Sequence, residues 1–374
     1  MSAITVDGDL IHYEKLGRGR PIILIHGWVG SWRYWIPLMQ QLHLRYKVYT
    51  LDLPGFGDSS KNSEHYNIQY QVKLLERFME RLGISKAAFI GHGLGALVLT
   101  EFAFQNQDKV ARLLLISAPI FDPGDLADRN PAGQRTLLTP PKTSAQTIAS
   151  DTQSDHDLAT DAGSGRVPEE TLMRRPDGLT VTTGSPIIPG AMPESSSPTA
   201  MNPSSIDRNV LLERAREREA QRLASSGNNP LSTLFAGKTI LNLLDKAIKR
   251  SEDVYTKLKP DVEKADDAVL NESAKGYDSG KMLDHLRLIK GDKKSPILTL
   301  IVHGEDDPII PKPDDPVWDY LTVNKDELAP ILLPGVRHFP MLEHDAFPRL
   351  ATDFLEVDDL SKLELRERWR RRSR

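Results

Sequence analysis

Five apolar runs, each closed by a short glycine-containing loop, constrain this chain more than any other feature. They are "PIILI" before His26-Gly27-Trp28, "YTL" before Asp52-Leu53-Pro54-Gly55-Phe56-Gly57-Asp58-Ser59, "AAFI" before Gly91-His92-Gly93-Leu94-Gly95, "LTLIV" before His303-Gly304-Glu305-Asp306-Asp307-Pro308, and "ILLP" before Gly335-Val336-Arg337-His338-Phe339-Pro340. Continuous apolar strands of this kind are buried on both faces, and here they alternate with amphipathic stretches. That pattern predicts an α/β fold: a mostly parallel central sheet with helices on both faces. In such a sheet the loops at the carboxyl ends of the strands gather around one crevice, so these five loops are expected to share a site.

The remaining pattern fills in the frame. "AITVDGDLIHYEKLG" reads as a hairpin around the two-residue turn Asp7-Gly8. "SWRYWIPLMQQL" and "LGALVLTEFAFQNQ" read as helices, and "IQYQVKLLERFMERLG" as a helix closed by a C-terminal glycine. "VARLLLISAP" supplies one more strand. The α/β pattern breaks at residue 122. From 122 to 205 the chain is rich in Pro, Ser, Thr, Gly and Asp without apolar periodicity, and is expected to be a disordered low-complexity insertion. Helical patterns return over 206–292, in "IDRNVLLERAREREAQRL", "LSTLFAGKTILNLLDKAIKR" and "GKMLDHLRLIKG". The expected organisation is therefore a first core part over 1–121, the insertion over 122–205, a helical segment over 206–292, a second core part over 293–358 and a basic tail over 359–374.

Composition removes several function classes. None of the 374 residues is cysteine, which excludes disulfides, thiolate metal sites and a cysteine nucleophile. A formal net charge of -4 argues against nucleic acid as a partner. "MSAITVDGDL" lacks the basic and apolar regions of a signal peptide, and no apolar run approaches the roughly 20 residues of a membrane span. The expectation is a cytoplasmic protein. The tail Arg366, Arg368, Trp369, Arg370, Arg371, Arg372 and Arg374 reads first as a solvated terminus. Peripheral contact with an anionic membrane, or with an acidic partner, is its alternative reading.

The loops carry the residue types of an acyl-transfer site. Such a site needs a nucleophile on a sharp strand-to-helix turn, a histidine base, a carboxylate that orients the base, and N–H donors for the oxyanion. "FIGHGLGA" has the form of the turn, Asp307 follows a later strand, and His338 follows the last. The order elbow, Asp, His is that of the α/β-hydrolase arrangement. With "LIHGWVGS", "LDLPGFGDSS", "VHGEDDPIIP" and "GVRHFPMLEH" beside it, the chain resembles the α/β-hydrolase superfamily, over its first third and last quarter. The resemblance implies Asp307 as acid, His338 as base and the N–H groups of Trp28 and Leu94 as the oxyanion hole. It also implies a helical lid inserted after the sixth strand, over a small-molecule pocket, and it calls for no cofactor and no metal.

The departure is Gly93, which stands where the superfamily has its nucleophile. Glycine has no atom with which to form a covalent intermediate. The elbow backbone is strained for other residues, and glycine relieves about 1–3 kcal/mol of that strain. No neighbour replaces the missing group: His92 is expected to point away from the site, Leu94 and Thr100 offer no better atom, and Ser59 and Ser60 belong to another loop. Gly27 reads as backbone geometry beside the ligand. Trp28 reads either as core or as a pocket wall, and Trp32, Tyr34 and Trp35 as packing. Two functions follow. One is a pseudo-hydrolase that binds an apolar or carbonyl-containing small molecule. The alternative is an active hydrolase of esters, lactones or related carbonyl compounds, using Asp307 and His338 with water.

Overall fold

The computed structural model describes residues 2–129, 229–292, 295–323 and 325–363. The expected helix "IDRNVLLERAREREAQRL", most of the 122–205 insertion and the arginine-rich end of the tail lie outside these residues.

Eight strands form the central sheet: β1 (Ser2–Val6), β2 (Asp9–Gly17), β3 (Arg20–Ile25), β4 (Tyr46–Leu51), β5 (Ala87–His92), β6 (Val110–Ile116), β7 (Leu298–Gly304) and β8 (Leu328–Leu333). Their order across the sheet is β1-β2-β4-β3-β5-β6-β7-β8. β1, β2 and β4 pair antiparallel, and all pairs from β4 to β8 are parallel. The hairpin turns at Asp7 (φ 47°) and Gly8 (φ 93°), both left-handed, as a two-residue turn that follows strand twist requires. β5 and β7 are buried at every position, which is why they read as unbroken apolar runs.

Helices α1 (Ile36–Leu42), α2 (Ile68–Arg81) and α3 (Leu94–Gln105) follow β3, β4 and β5. α2 buries one stripe, including Val72, Leu75, Phe78 and Met79. α3 buries all but its last two residues, so it crosses the interior of the molecule rather than lying on it. The stretch "SWRYWIPLMQQL" is not a single helix: Trp32–Trp35 forms a 3-10 turn, and α1 starts at Ile36 with Pro37 in its first turn.

Between β6 and β7 the described residues form α4 (Leu126–Arg129), α5 (Pro230–Phe235), α6 (Ile240–Ala247), α7 (Asp253–Val262), α8 (Ala268–Ala274) and α9 (Ser279–Leu288). Here two sequence expectations change. Residues 126–129, inside the expected disordered stretch, are helical, and Arg129 ties them to α9 through Asp284 (2.7 Å) and the Gly280 carbonyl (3.1 Å). "LSTLFAGKTILNLLDKAIKR" is two helices, because Thr239 and Asn242 form a reciprocal capping box that starts α6 afresh. α10 (Asp315–Thr322), α11 (Pro340–Glu343) and α12 (Phe347–Glu356) complete the chain.

These middle helices cover the loops at the carboxyl ends of the strands. Asp261 of α7 accepts from Ser31 Oγ (2.8 Å) and Arg33 (2.9 Å). Tyr66 donates to Asp266 (2.8 Å), and the Asp266 N–H donates to the Gly55 carbonyl (2.8 Å). No helix among the described residues is long and apolar enough to cross a membrane.

Candidate active site

The base side is built by the loops after β7 and β8. Asp307 Oδ1 accepts the N–H groups of Ile309 (2.8 Å) and Ile310 (3.0 Å), so its own loop aims the carboxylate. His338 Nδ1–H donates to both oxygens, at 3.1 and 2.9 Å, and both side chains are fully buried. Burial opposes the charge on Asp307. The electrostatic pull and hydrogen bond of His338, the His303 ring and the Ile309 N–H outweigh it and hold the carboxyl well below the usual range. His303 donates from Nε2 to the Ile310 carbonyl (2.9 Å), and burial lowers its pKa. With Nδ1 committed to Asp307, His338 keeps its lone pair at Nε2. That buried atom has no hydrogen-bond partner among the described residues. A fixed imidazole with a free Nε2 is the form a general base requires.

The His338 loop is clamped from two directions. Glu343 of α11 accepts from the Arg337 N–H (2.9 Å) and the Phe339 N–H (3.0 Å), on either side of His338. The Arg337 guanidinium makes a fork-to-fork pair with Glu252, at 3.1 and 2.9 Å, at the start of α7.

The elbow side retains its backbone. Gly93 caps α3 with φ 51° and ψ -107°, and its N–H donates to the Ile116 carbonyl on β6 (2.9 Å). A Cβ at Gly93 would meet the Trp28 ring at 3.2 and 3.4 Å, so a side chain there would need that indole to yield slightly. The N–H groups of Trp28 and Leu94 have no acceptor among the described residues. The peptide that carries the Trp28 N–H is oriented from its other end, where the Gly27 carbonyl accepts from His26 Nδ1 (2.8 Å). His26 Nε2 in turn accepts the Leu53 N–H (2.9 Å), joining the loops after β3 and β4. Burial lowers the His26 pKa and keeps the ring neutral, as this donor–acceptor pattern requires.

Trp28 is fully buried and does two jobs. Its backbone lies at the site, while its indole donates to Ser273 of α8 (2.9 Å) and packs edge-on to Phe235 of α5 (4.9 Å between centroids).

Tyr34 departs from the sequence reading, and His92, placed from sequence beside the oxyanion hole with its side chain turned away, has specific partners. Its Nε2 lies 2.8 Å from the His338 carbonyl, its Nδ1 lies 3.0 Å from the Tyr34 hydroxyl, and its ring centre is 4.5 Å from that of His338. Tyr34 is more than packing, because its hydroxyl also accepts the Gly27 N–H (2.6 Å). Gly27 has a steric reason to be glycine: a Cβ would come within 2.9 Å of His92 Nδ1.

Among the described residues, the hydroxyls weighed from sequence have partners elsewhere. Ser59 Oγ donates to the Asp52 carbonyl (2.7 Å), Ser60 Oγ accepts from the Leu10 N–H (2.8 Å), and Thr100 donates to the Ala96 carbonyl (2.9 Å). Sequence reasoning passed over Ser117, a buried residue directly after β6 with φ 45°, whose hydroxyl donates to the His338 carbonyl at 3.4 Å. Its left-handed backbone is the local mark of a special position, but nothing in "LLLISAP" announces it.

Among the described residues, His12, Asp52 and Asp58 come close enough to share a metal ion, with ligand atoms within 4.8 Å of one another. The Asp52 carboxylate is already taken by the Trp32 N–H (2.9 Å), the Asp58 N–H (3.2 Å) and His12 Nδ1 (3.0 Å). The cluster acts as a loop staple, and the hydrogen bond to Asp52 raises the His12 pKa against its burial.

With this geometry in view, relatives can be compared. A family model described as the alpha/beta hydrolase fold matches residues 20–155. Solved structures with the same architecture include a hydrolase from Pseudomonas aeruginosa (TM-score 0.54, 15% identity, covering 95% of this chain and 98% of that one). A thermophilic esterase from Thermogutta terrifontis is similar to the same degree (TM-score 0.54, 14% identity, 95% and 98% covered). The chain has the α/β-hydrolase fold. Among curated proteins it is similar to the soluble epoxide hydrolase of Corynebacterium sp. strain C12, 33% identical over 111 residues, which is 30% of this chain and 39% of that protein. It is also similar to a pimeloyl-[acyl-carrier protein] methyl ester esterase of Vibrio vulnificus, 29% identical over 112 residues, with 30% and 42% covered. These matches span well under half of either relative, and the relatives are hydrolases.

Proposed function

We propose that this α/β-hydrolase cleaves an ester, lactone or related carbonyl compound by direct attack of water, with His338 as general base and Asp307 as its orienting acid. The observation that carries this reading is the buried, unpartnered Nε2 of His338 opposite an Nδ1 fixed on Asp307. A buried nitrogen left unsatisfied costs about 1–3 kcal/mol, so keeping it aimed and unpaired makes sense where a donor from outside the protein will bind it. Water placed there gives its proton to Nε2 as its oxygen bonds to the carbonyl carbon. The carbonyl oxygen becomes the oxyanion and accepts from the Trp28 and Leu94 N–H groups. As the carbon–oxygen bond to the leaving group breaks, His338 returns the proton to that oxygen, leaving an acid and an alcohol. The match of residues 20–155 to the alpha/beta hydrolase fold, with epoxide hydrolases and an esterase among the similar proteins, supports hydrolysis over the non-catalytic alternative.

Gly93 favours the second reading, a pocket that holds a carbonyl compound without turning it over. The two separate by one assay. Turnover of a panel of short aryl esters and lactones that disappears in His338→Ala supports hydrolysis. Saturable binding of the same compounds with no turnover, unchanged by His338→Ala, supports the binder. The basic tail, proposed from sequence to contact an anionic surface or an acidic partner, is tested by co-sedimentation with anionic vesicles after removal of its last ten residues.

A further inference from the structure

The two halves of the candidate site come from loops more than two hundred residues apart, yet a continuous buried hydrogen-bond chain joins them. It runs from the Gly27 N–H to the Tyr34 hydroxyl (2.6 Å), from Tyr34 to His92 Nδ1 (3.0 Å), and from His92 Nε2 to the His338 carbonyl (2.8 Å). The direction of every link is fixed. A carbonyl only accepts, so His92 must carry its hydrogen on Nε2. Burial, reinforced by the neighbouring His338, lowers the His92 pKa and keeps the ring neutral, so Nδ1 must accept and Tyr34 must donate to it. The Tyr34 oxygen then accepts from Gly27. Burial also raises the Tyr34 pKa, which keeps that phenol protonated.

We propose that Tyr34 and His92 are positioning residues that lock the His338 loop to the peptide bearing the Trp28 N–H, so that base and oxyanion donor hold one spacing. The roles of those two groups rest on the hydrolytic reading above; the lock itself rests on geometry alone. Packing would not require these polar atoms, since phenylalanine could fill the Tyr34 ring position. Each polar atom is instead matched, and Gly27 leaves room for the His92 ring. His92 meets His338 at its backbone carbonyl and, with the rings tilted, at its imidazole, so it acts through the base and not on a substrate.

The test compares the wild type with Tyr34→Phe, His92→Ala and His92→Gln, using two readouts. One is the proton resonance of the His338 Nδ1–H in 15N-histidine-labelled protein, assigned by its loss in His338→Ala. The other is steady-state kinetics on the aryl ester or lactone that the wild type turns over fastest. The expected result is a displaced or broadened His338 resonance in Tyr34→Phe and His92→Ala. With it comes a kcat lowered about tenfold and a KM within twofold. His92→Gln recovers most of both, because the amide can donate to the His338 carbonyl and accept from Tyr34. A His338 resonance at the wild-type position in Tyr34→Phe, with kcat within twofold, overturns the proposal. If the wild type turns over no substrate, the hydrolytic reading falls and the resonance alone decides: displacement in Tyr34→Phe supports the lock, and no displacement overturns it. Should His92→Ala fail to fold, Tyr34→Phe, which removes one oxygen, carries the same decision.

Discussion

The loop holding His338 and the turn holding Gly93 lie side by side at the strand ends, and they differ in what they retain. On the base side every group is oriented: two N–H donors aim Asp307, Asp307 aims His338, and Glu343 braces the backbone on both sides of it. On the elbow side the backbone has the sharp turn and an open Leu94 N–H, but no side chain. Side-chain function and backbone function have therefore separated. At the elbow, what the peptide chain supplies is there, and a nucleophilic side chain is not.

The strongest way to break this comparison is to remove the base. His338→Ala should lower turnover of an ester or lactone by roughly 10²–10⁴-fold, the usual contribution of a positioned general base, measured as initial rates at saturating substrate. Turnover that survives unchanged would mean the oriented side of the site is ornamental. The next test fills the elbow. Gly93→Ser should confer labelling by a fluorophosphonate probe and raise ester turnover by about one order of magnitude over the wild type. It should also cost about 1–3 kcal/mol in urea unfolding, because a side chain at φ 51° is strained and its Cβ presses on Trp28. Labelling of the wild type itself would refute the absence of a nucleophile.

Smaller effects sharpen the comparison. Arg337→Gln breaks the pair with Glu252 that fastens the base loop to α7. It should destabilise the protein by about 1 kcal/mol, less at high salt, because the pair is partly exposed. A loss independent of salt would point to packing instead. A further effect, confined to acid pH, concerns the far end of α3. Burial opposes the charge on Glu101, but hydrogen bonds from His285, Gln69 and Gln105, with the charge of Lys281, hold its pKa down to about 2. A carboxylate depressed from 4.5 to about 2 on folding contributes stability above pH 4.5 and loses it as pH falls toward 2. Melting temperatures over that window should fall less steeply in Glu101→Gln than in the wild type. Parallel curves would show that another group dominates there.

The parallel part of the sheet was legible because five of its strands are apolar runs that end in a glycine-containing loop, which a parallel sheet must place at one edge. The short helices were harder. Asp253–Val262, Ala268–Ala274 and Asp315–Thr322 are only 10, 7 and 8 residues long, too short for a helical period to stand out, and gain their order from packing. Asp307, His338 and Gly93 could be singled out because each follows a strand in a short motif. Tyr34, His92 and Arg337 could not be read in the same way. Their partners are residues 27, 338 and 252, and such distant pairings leave no mark on local spacing.

The Gly93 turn has a consequence for how such a site changes over generations. Its oxyanion donors are peptide groups, which a point substitution does not delete, and its base is held by contacts that do not pass through residue 93. Glycine and serine codons can differ by a single base. A lineage carrying this fold could thus move between a water-dependent site and a covalent one in one step, with the cost of each crossing set by one backbone angle.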